Sequence, residues 1–166
     1  MRIVTSALVA VAALLPAAAT AQTADYVEYG ELTEQAARVA TSIGSCHRLG
    51  FKITTDDSRM KAFTERTIRK GVMLGVDKTL AENMLLDALN REKEDLEYLS
   101  TVPEDIQTKE ALFETFTEMM NFWHQRCHSI ASSEVGSEFV QVTGNEDDVL
   151  RDTLNSMREE LWKPAE

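Results

Sequence analysis

The chain has 166 residues, with 28 Asp and Glu against 17 Lys and Arg, and a formal net charge of −11 at neutral pH. A polypeptide this acidic repels nucleic-acid phosphates and anionic lipid, so neither is an expected partner. The length suits one domain with a real hydrophobic core, and two cysteines permit one disulfide with one possible connectivity.

The first stretch, "MRIVTSALVAVAALLPAAATAQTADY", has the three parts of a secretory signal. Arg2 gives the positive start and Ile3 to Leu15 the uncharged apolar run. Pro16 then precedes small residues in which Ala19 and Ala21 satisfy the A-x-A cleavage rule. The expectation is therefore a cleaved signal peptide over 1–21 and a single helical domain over 22–166. The apolar run is shorter than the roughly 20 residues of a spanning helix, so no transmembrane anchor is expected after cleavage. Loss of Arg2 would leave 16 basic residues against 28 acidic ones, a net charge of −12. The short, Ala-rich leader points to a bacterial cell envelope, with a periplasmic or secreted address.

Past the leader the sequence reads as all-α, because apolar periodicity near 3.6 is widespread and strand-like alternation scarce. A first helix is expected from Asp25 to about Leu49, with Leu32, Ala36, Val39, Ile43 and Cys46 on one stripe and Gly50 as its stop. After "FKITTDD", Thr55 or Asp56 can cap a second helix reaching about Leu74, with Met60, Phe63, Ile68 and Val72 inward. Asp77 caps a third, "KTLAENMLLDALNREKEDLEYLS", whose inward side is Leu80, Met84, Leu85, Leu89, Leu96 and Leu99. Glu92 interrupts that stripe.

Thr108 caps a fourth helix, "KEALFETFTEMMNFWHQRCHSIA", lined by Leu112, Phe116, Met119 or Met120, Trp123, Cys127 and Ile130. The segment "EFVQV" suits a short strand or a helical turn. A last helix runs from Asn145 or Glu146 to about Trp162, burying Val149, Leu150, Leu154, Met157 and Leu161. Helices joined this closely predict a compact bundle of about five helices.

Cys46 and Cys127 both fall on inward stripes, and in an oxidising compartment they are expected to pair. Such a disulfide ties the first helix to the fourth. Closing a loop of about 80 residues is worth about 4.5 kcal/mol on chain-entropy grounds, less any native strain.

"NFWHQRCHSI" carries His124 and His128 at i, i+4, the spacing of helical zinc sites, and His47 adjoins Cys46. Those three histidines are the whole supply, and metal sites usually orient imidazoles with second-shell carboxylates. Paired cysteines are also lost as ligands. "HQRCH" lacks the first cysteine of the C-x-x-C-H haem attachment. No metal and no cofactor are therefore expected. His124 and His128 read as surface or boundary residues beside Trp123, whose charge can vary between about pH 5 and 8.

The second helix is basic, with Arg59, Arg66 and Lys70 near one another at helical spacing. Either they dock an acidic partner or they pair with the acidic "NREKEDLE" of the third helix, the pairing being favoured. Asp56–Asp57 and Glu146–Asp147–Asp148 sit at helix starts, where acids favour the macrodipole. No nucleophile elbow, H-E-x-x-H or glycine-rich phosphate loop is present.

The expected function is that of an exported, non-enzymatic envelope protein that binds another protein, in an inhibitor, immunity, accessory or chaperone-like role. Arg59, Arg66, Lys70, His124 and His128 are its candidate contact residues. The alternatives are a metal or cofactor carrier using His47, His124 and His128, and an envelope hydrolase with no recognisable motif.

Overall fold

Helix starts are where the sequence is most explicit, and the structure honours those of the last four helices. In the computed structural model, which describes residues 15–164 except Asp105, α1 spans Leu15–Arg48, α2 Asp57–Met73, α3 Lys78–Ser100, α4 Lys109–Ser132 and α5 Glu146–Trp162. Residues 1–14, which hold the charged start and most of the apolar run of the expected leader, lie outside the described residues. The Asp56 carboxylate accepts from the Arg59 backbone N–H at 2.9 Å, and that of Asp77 from Thr79 and Leu80 at 2.9 and 3.2 Å. The Thr108 hydroxyl accepts from the Ala111 N–H at 3.1 Å. Each cap satisfies an N–H that the helix itself leaves unpaired, worth about 1 kcal/mol.

Two helix ends are set just as locally. Gly50 and Gly75 adopt φ of 88° and 83°, the left-handed conformation that a β-carbon disfavours. At the first, the Phe51 N–H reaches the Cys46 carbonyl and the Gly50 N–H that of His47. At the second, Val76 and Gly75 bond to Gly71 and Val72 in the same way. Both are Schellman ends, and both send the following residue, Phe51 or Val76, back into the core.

α1 is already helical at Leu15, ten residues before the expected start, through an alanine-rich stretch with high helix propensity. It is the central element, packed against α2, α3 and α4, while α5 packs on α4. The main core gathers Val39, Cys46, Leu49, Phe51, Phe63, Leu85, Cys127, Ile130, Phe139 and Val140. A satellite forms around Tyr29, Val76 and Ala81. The Cys46–Cys127 disulfide is present and buried, with its Cα atoms 5.5 Å apart. The bundle of five helices and one staple is the expected architecture.

"EFVQV" resolves into both of its readings: a 3-10 turn over Gly136–Glu138, then β2 (Val140–Gln141) antiparallel to β1 (Lys52–Ile53). Lys52 faces Gln141 and Ile53 faces Val140. The residues after α1 are thereby joined to the residues after α4.

Three residues expected in the core are exposed: Val72, Leu80 and Leu99, at 45, 40 and 49 %. The inward line of α2 is Phe63, Thr67 and Gly71, and that of α3 includes Ala81 and Ala88. Small residues face α1 and let it approach closely, which turns the larger neighbours outward. In α5 the only fully buried residue is Glu146, and the apolar side chains are half-buried against α4, with Trp162 edge-on to Phe113 at 5.8 Å. Among the described residues no helix is long and apolar enough to cross a membrane.

Candidate functional site

His124 and His128 share one face of α4, with ring centroids 4.6 Å apart. Cys127, between them in sequence, fixes that stretch of α4 to the end of α1 through its disulfide. The Schellman turn at Gly50 then places Phe51 beside both imidazoles, edge-on, at 4.9 Å from His128 and 6.1 Å from His124. The two rings are thus held by the same joint that closes the core.

α5 completes the cluster. Oδ1 of Asp147 lies 3.2 Å from Nε2 of His124, although the approach is too oblique for a hydrogen bond. That nitrogen is buried and has no hydrogen-bond partner, the only such side-chain atom among the described residues. The His124 side chain is 12 % exposed, whereas Asp147 is 89 % exposed and closes the cluster from the solvent side. One donor atom from each of His124, His128 and Asp147 falls within 4.8 Å of the others.

Asp147 owes its place to its neighbours. The buried Glu146 carboxylate folds back onto the loop before α5, accepting from the Thr143 N–H, the Thr143 hydroxyl at 2.9 Å and the Gly144 N–H at 2.9 Å. Burial alone would raise the carboxyl's pKa. The backbone donors of Thr143 and of Glu146 itself, the Thr143 hydroxyl and the Gly144 N–H outweigh it, holding Glu146 below the ordinary glutamate value. The Thr143 hydroxyl also lies 3.1 Å from the Gly50 carbonyl, an alternative acceptor for its one proton, so the start of α5 sits against the turn that positions Phe51.

The basic residues of α2 do not pair with the acids of α3 as expected. One guanidinium nitrogen of Arg66 lies 2.9 and 2.8 Å from the two carboxylate oxygens of Glu138, and Lys70 is 3.6 Å from Glu28. The Arg59 guanidinium donates to the Thr54 carbonyl. The acidic partners therefore come from α1 and the 3-10 turn rather than from α3. Arg66 and Lys70 do line a groove of about 510 Å³ between α1 and α2, but Glu28, Glu31, Glu134 and Glu138 line it too. Four acids against two bases make its lining net negative, so the groove offers no basic face.

The acid of α3 that matters is Glu92, which the sequence marks only as an interruption. It pairs with Arg126 of α4, whose Nε donates to the Ser42 hydroxyl of α1 at 2.7 Å. Both charged side chains are largely buried, at 15 and 11 % exposure. Burial draws the Arg126 pKa down while Glu92 opposes that shift, and Arg38 adds slightly to it. The Arg126 guanidinium also sits 5.9 and 5.8 Å from the Phe122 and Trp123 rings. One arginine thus links three helices, and its i, i+4 relation to Phe122 is the only hint the sequence gives.

A second groove was also illegible in the sequence. Where α3 ends, Leu99 and Val102 face Phe116, Met119 and Phe122 of α4 across a cavity of about 230 Å³, with Glu118 at its edge. Val102 is 44 % exposed, so the groove is open. No protein-family model, curated protein or solved structure matches the chain.

Proposed function

We propose that this chain is an exported, non-enzymatic protein of the bacterial cell envelope that binds another protein, and that the contact surface is the groove between the end of α3 and α4. The observation that carries this reading is the groove's lining of Leu99, Val102, Phe116, Met119 and Phe122. Exposed aliphatic side chains above half-buried aromatic and methionine ones suit an apolar helix face, since methionine adapts its shape to what it meets. Glu118 edges the cleft, and the last turns of α3 carry exposed Glu94, Asp95 and Glu97. A cationic amphipathic segment is the complementary occupant. Export is supported by the tripartite leader and by a buried disulfide, a bond that persists in oxidising compartments.

This reading moves the contact surface away from the residues the sequence nominates. Arg66 and Lys70 are engaged with Glu138 and Glu28, and Arg59 with the Thr54 carbonyl. His124 and His128 are packed against Phe51.

Photo-crosslinkers placed singly at Val102 and at Arg66 in living cells test the assignment. The expected result is an adduct with a discrete envelope protein from position 102, mapping to a Lys- or Arg-rich helix, and none from position 66. Adducts from position 66 alone would return the docking surface to α2. No adduct from either position would overturn the protein-binding reading.

A further inference from the structure

We propose that His124, His128 and Asp147 form a binding site for one divalent cation of the zinc class, with a fourth coordination position open to solvent. The sequence argues against a metal because three histidines stand without an orienting carboxylate. The fold supplies instead a carboxylate ligand, Asp147, from α5, a helix remote in sequence.

Three independent features support the site. The first is geometry. Zinc with bonds of about 2.0–2.1 Å holds tetrahedral donors about 3.4 Å apart. The donor atoms here lie within 4.8 Å of one another, and the His124–Asp147 pair is already at 3.2 Å. Asp147 is exposed and can turn to close the set, while the imidazoles are held in place by Phe51.

The second is the buried Nε2 of His124. A buried polar atom without a partner is destabilising, and natural proteins keep few of them. Asp147 comes within reach without making a hydrogen bond, which leaves the nitrogen without a partner. A cation between the two groups would engage both.

The third is the supporting frame. The disulfide beside His128, the Gly50–Thr143 contact and the Glu146 carboxylate hold the two ligand-bearing segments, on α4 and α5, to the turn at Gly50. Glu146 is committed to backbone donors and Asp148 to Arg151, so neither competes for the ion.

Two imidazoles and one carboxylate form a borderline donor set. It suits Zn²⁺ and its neighbours Co²⁺, Ni²⁺ and Cu²⁺, whereas Ca²⁺ and Mg²⁺ prefer all-oxygen ligands. With three protein ligands the fourth position falls to water or to a donor from outside, as in exchangeable rather than structural zinc sites. Because the ion would bridge α4 and α5, it would stabilise α5, whose only fully buried residue is Glu146.

The test uses the full chain with its disulfide formed, titrated with Zn²⁺ alone against a chromogenic chelator, with thermal unfolding in parallel. The expected result is one Zn²⁺ per chain, a raised Tm, and no competition from a large excess of Ca²⁺. Asp147→Asn, at an exposed position that leaves folding intact, and His128→Gln should each weaken binding by about tenfold or more. His47→Ala, on the exposed side of α1, should leave it unchanged. Zinc affinity that is absent in the unaltered chain, or unaffected by both Asp147→Asn and His128→Gln, would overturn the site. Co²⁺ absorption bands lost in Asp147→Asn give a readout independent of stability.

Discussion

Gly71 packs against Tyr29 so closely that a β-carbon on residue 71 would lie 2.6 Å from Cζ of the ring. The contact lets α2 lie against α1 and leads the Tyr29 hydroxyl to the Ala81 carbonyl of α3, 3.0 Å away. Burial accordingly raises the phenol's pKa. Gly71→Ala, normally favourable inside a helix, should instead destabilise the protein by about 1–3 kcal/mol through overpacking. Urea unfolding measures this. A gain in stability would show that the two helices are free to separate.

Arg126 and Glu92 give a second quantitative expectation. Arg126→Met leaves a buried carboxylate without its partner and should cost about 3–5 kcal/mol. Adding Glu92→Leu should recover much of that loss, because two apolar residues can replace a buried pair. A double-mutant cycle in chemical denaturant decides it. Additive losses would mean that the two residues act separately.

Glu146 makes stability depend on pH. Its folded pKa lies below the ordinary value of 4.5, so its contribution is fully present above that value and is lost as pH falls through the lower folded one. Glu146→Gln should lower stability at neutral pH by about 1.5–3 kcal/mol, the range for hydrogen bonds to a charged group. The variant should also lose less further stability on acidification than the unaltered chain. Parallel unfolding curves at pH 7 and pH 3.5, with the same difference between the proteins at both, would contradict this.

Intact-mass measurement of the exported protein tests the leader and the staple together. The expected chain begins at Gln22 and gains two hydrogens on reduction. Cys127→Ala should cost about 2–5 kcal/mol. A retained leader would refute cleavage, and two freely alkylated thiols in the folded protein would refute the disulfide.

How far the sequence leads depends on how local each cause is. Asp56, Asp77, Thr108, Gly50 and Gly75 act within one helical turn, and their positions are read directly. Inward stripes are legible where large apolar residues mark them. They mislead at Val72 and Leu80, where Thr67, Gly71 and Ala81 do the facing instead. Long-range polar pairs carry no local signature: Glu92 and Arg126 stand 34 residues apart, and the break that Glu92 makes in its stripe does not name its partner. The histidine spacing is visible on α4, but Asp147 joins it only because Glu146 and Thr143 bend the chain back to Gly50.

The disulfide also bears on how the molecule is assembled. Synthesis proceeds from the N-terminus, so Cys46 emerges and waits as a bare thiol until 81 further residues deliver Cys127. With only two cysteines the chain has no wrong partner within itself. Its one available error is a bond to another molecule. Crowding of newly made chains, rather than scrambling inside one, is therefore the hazard that an oxidising catalyst acting late, once α4 has docked on α1, would remove.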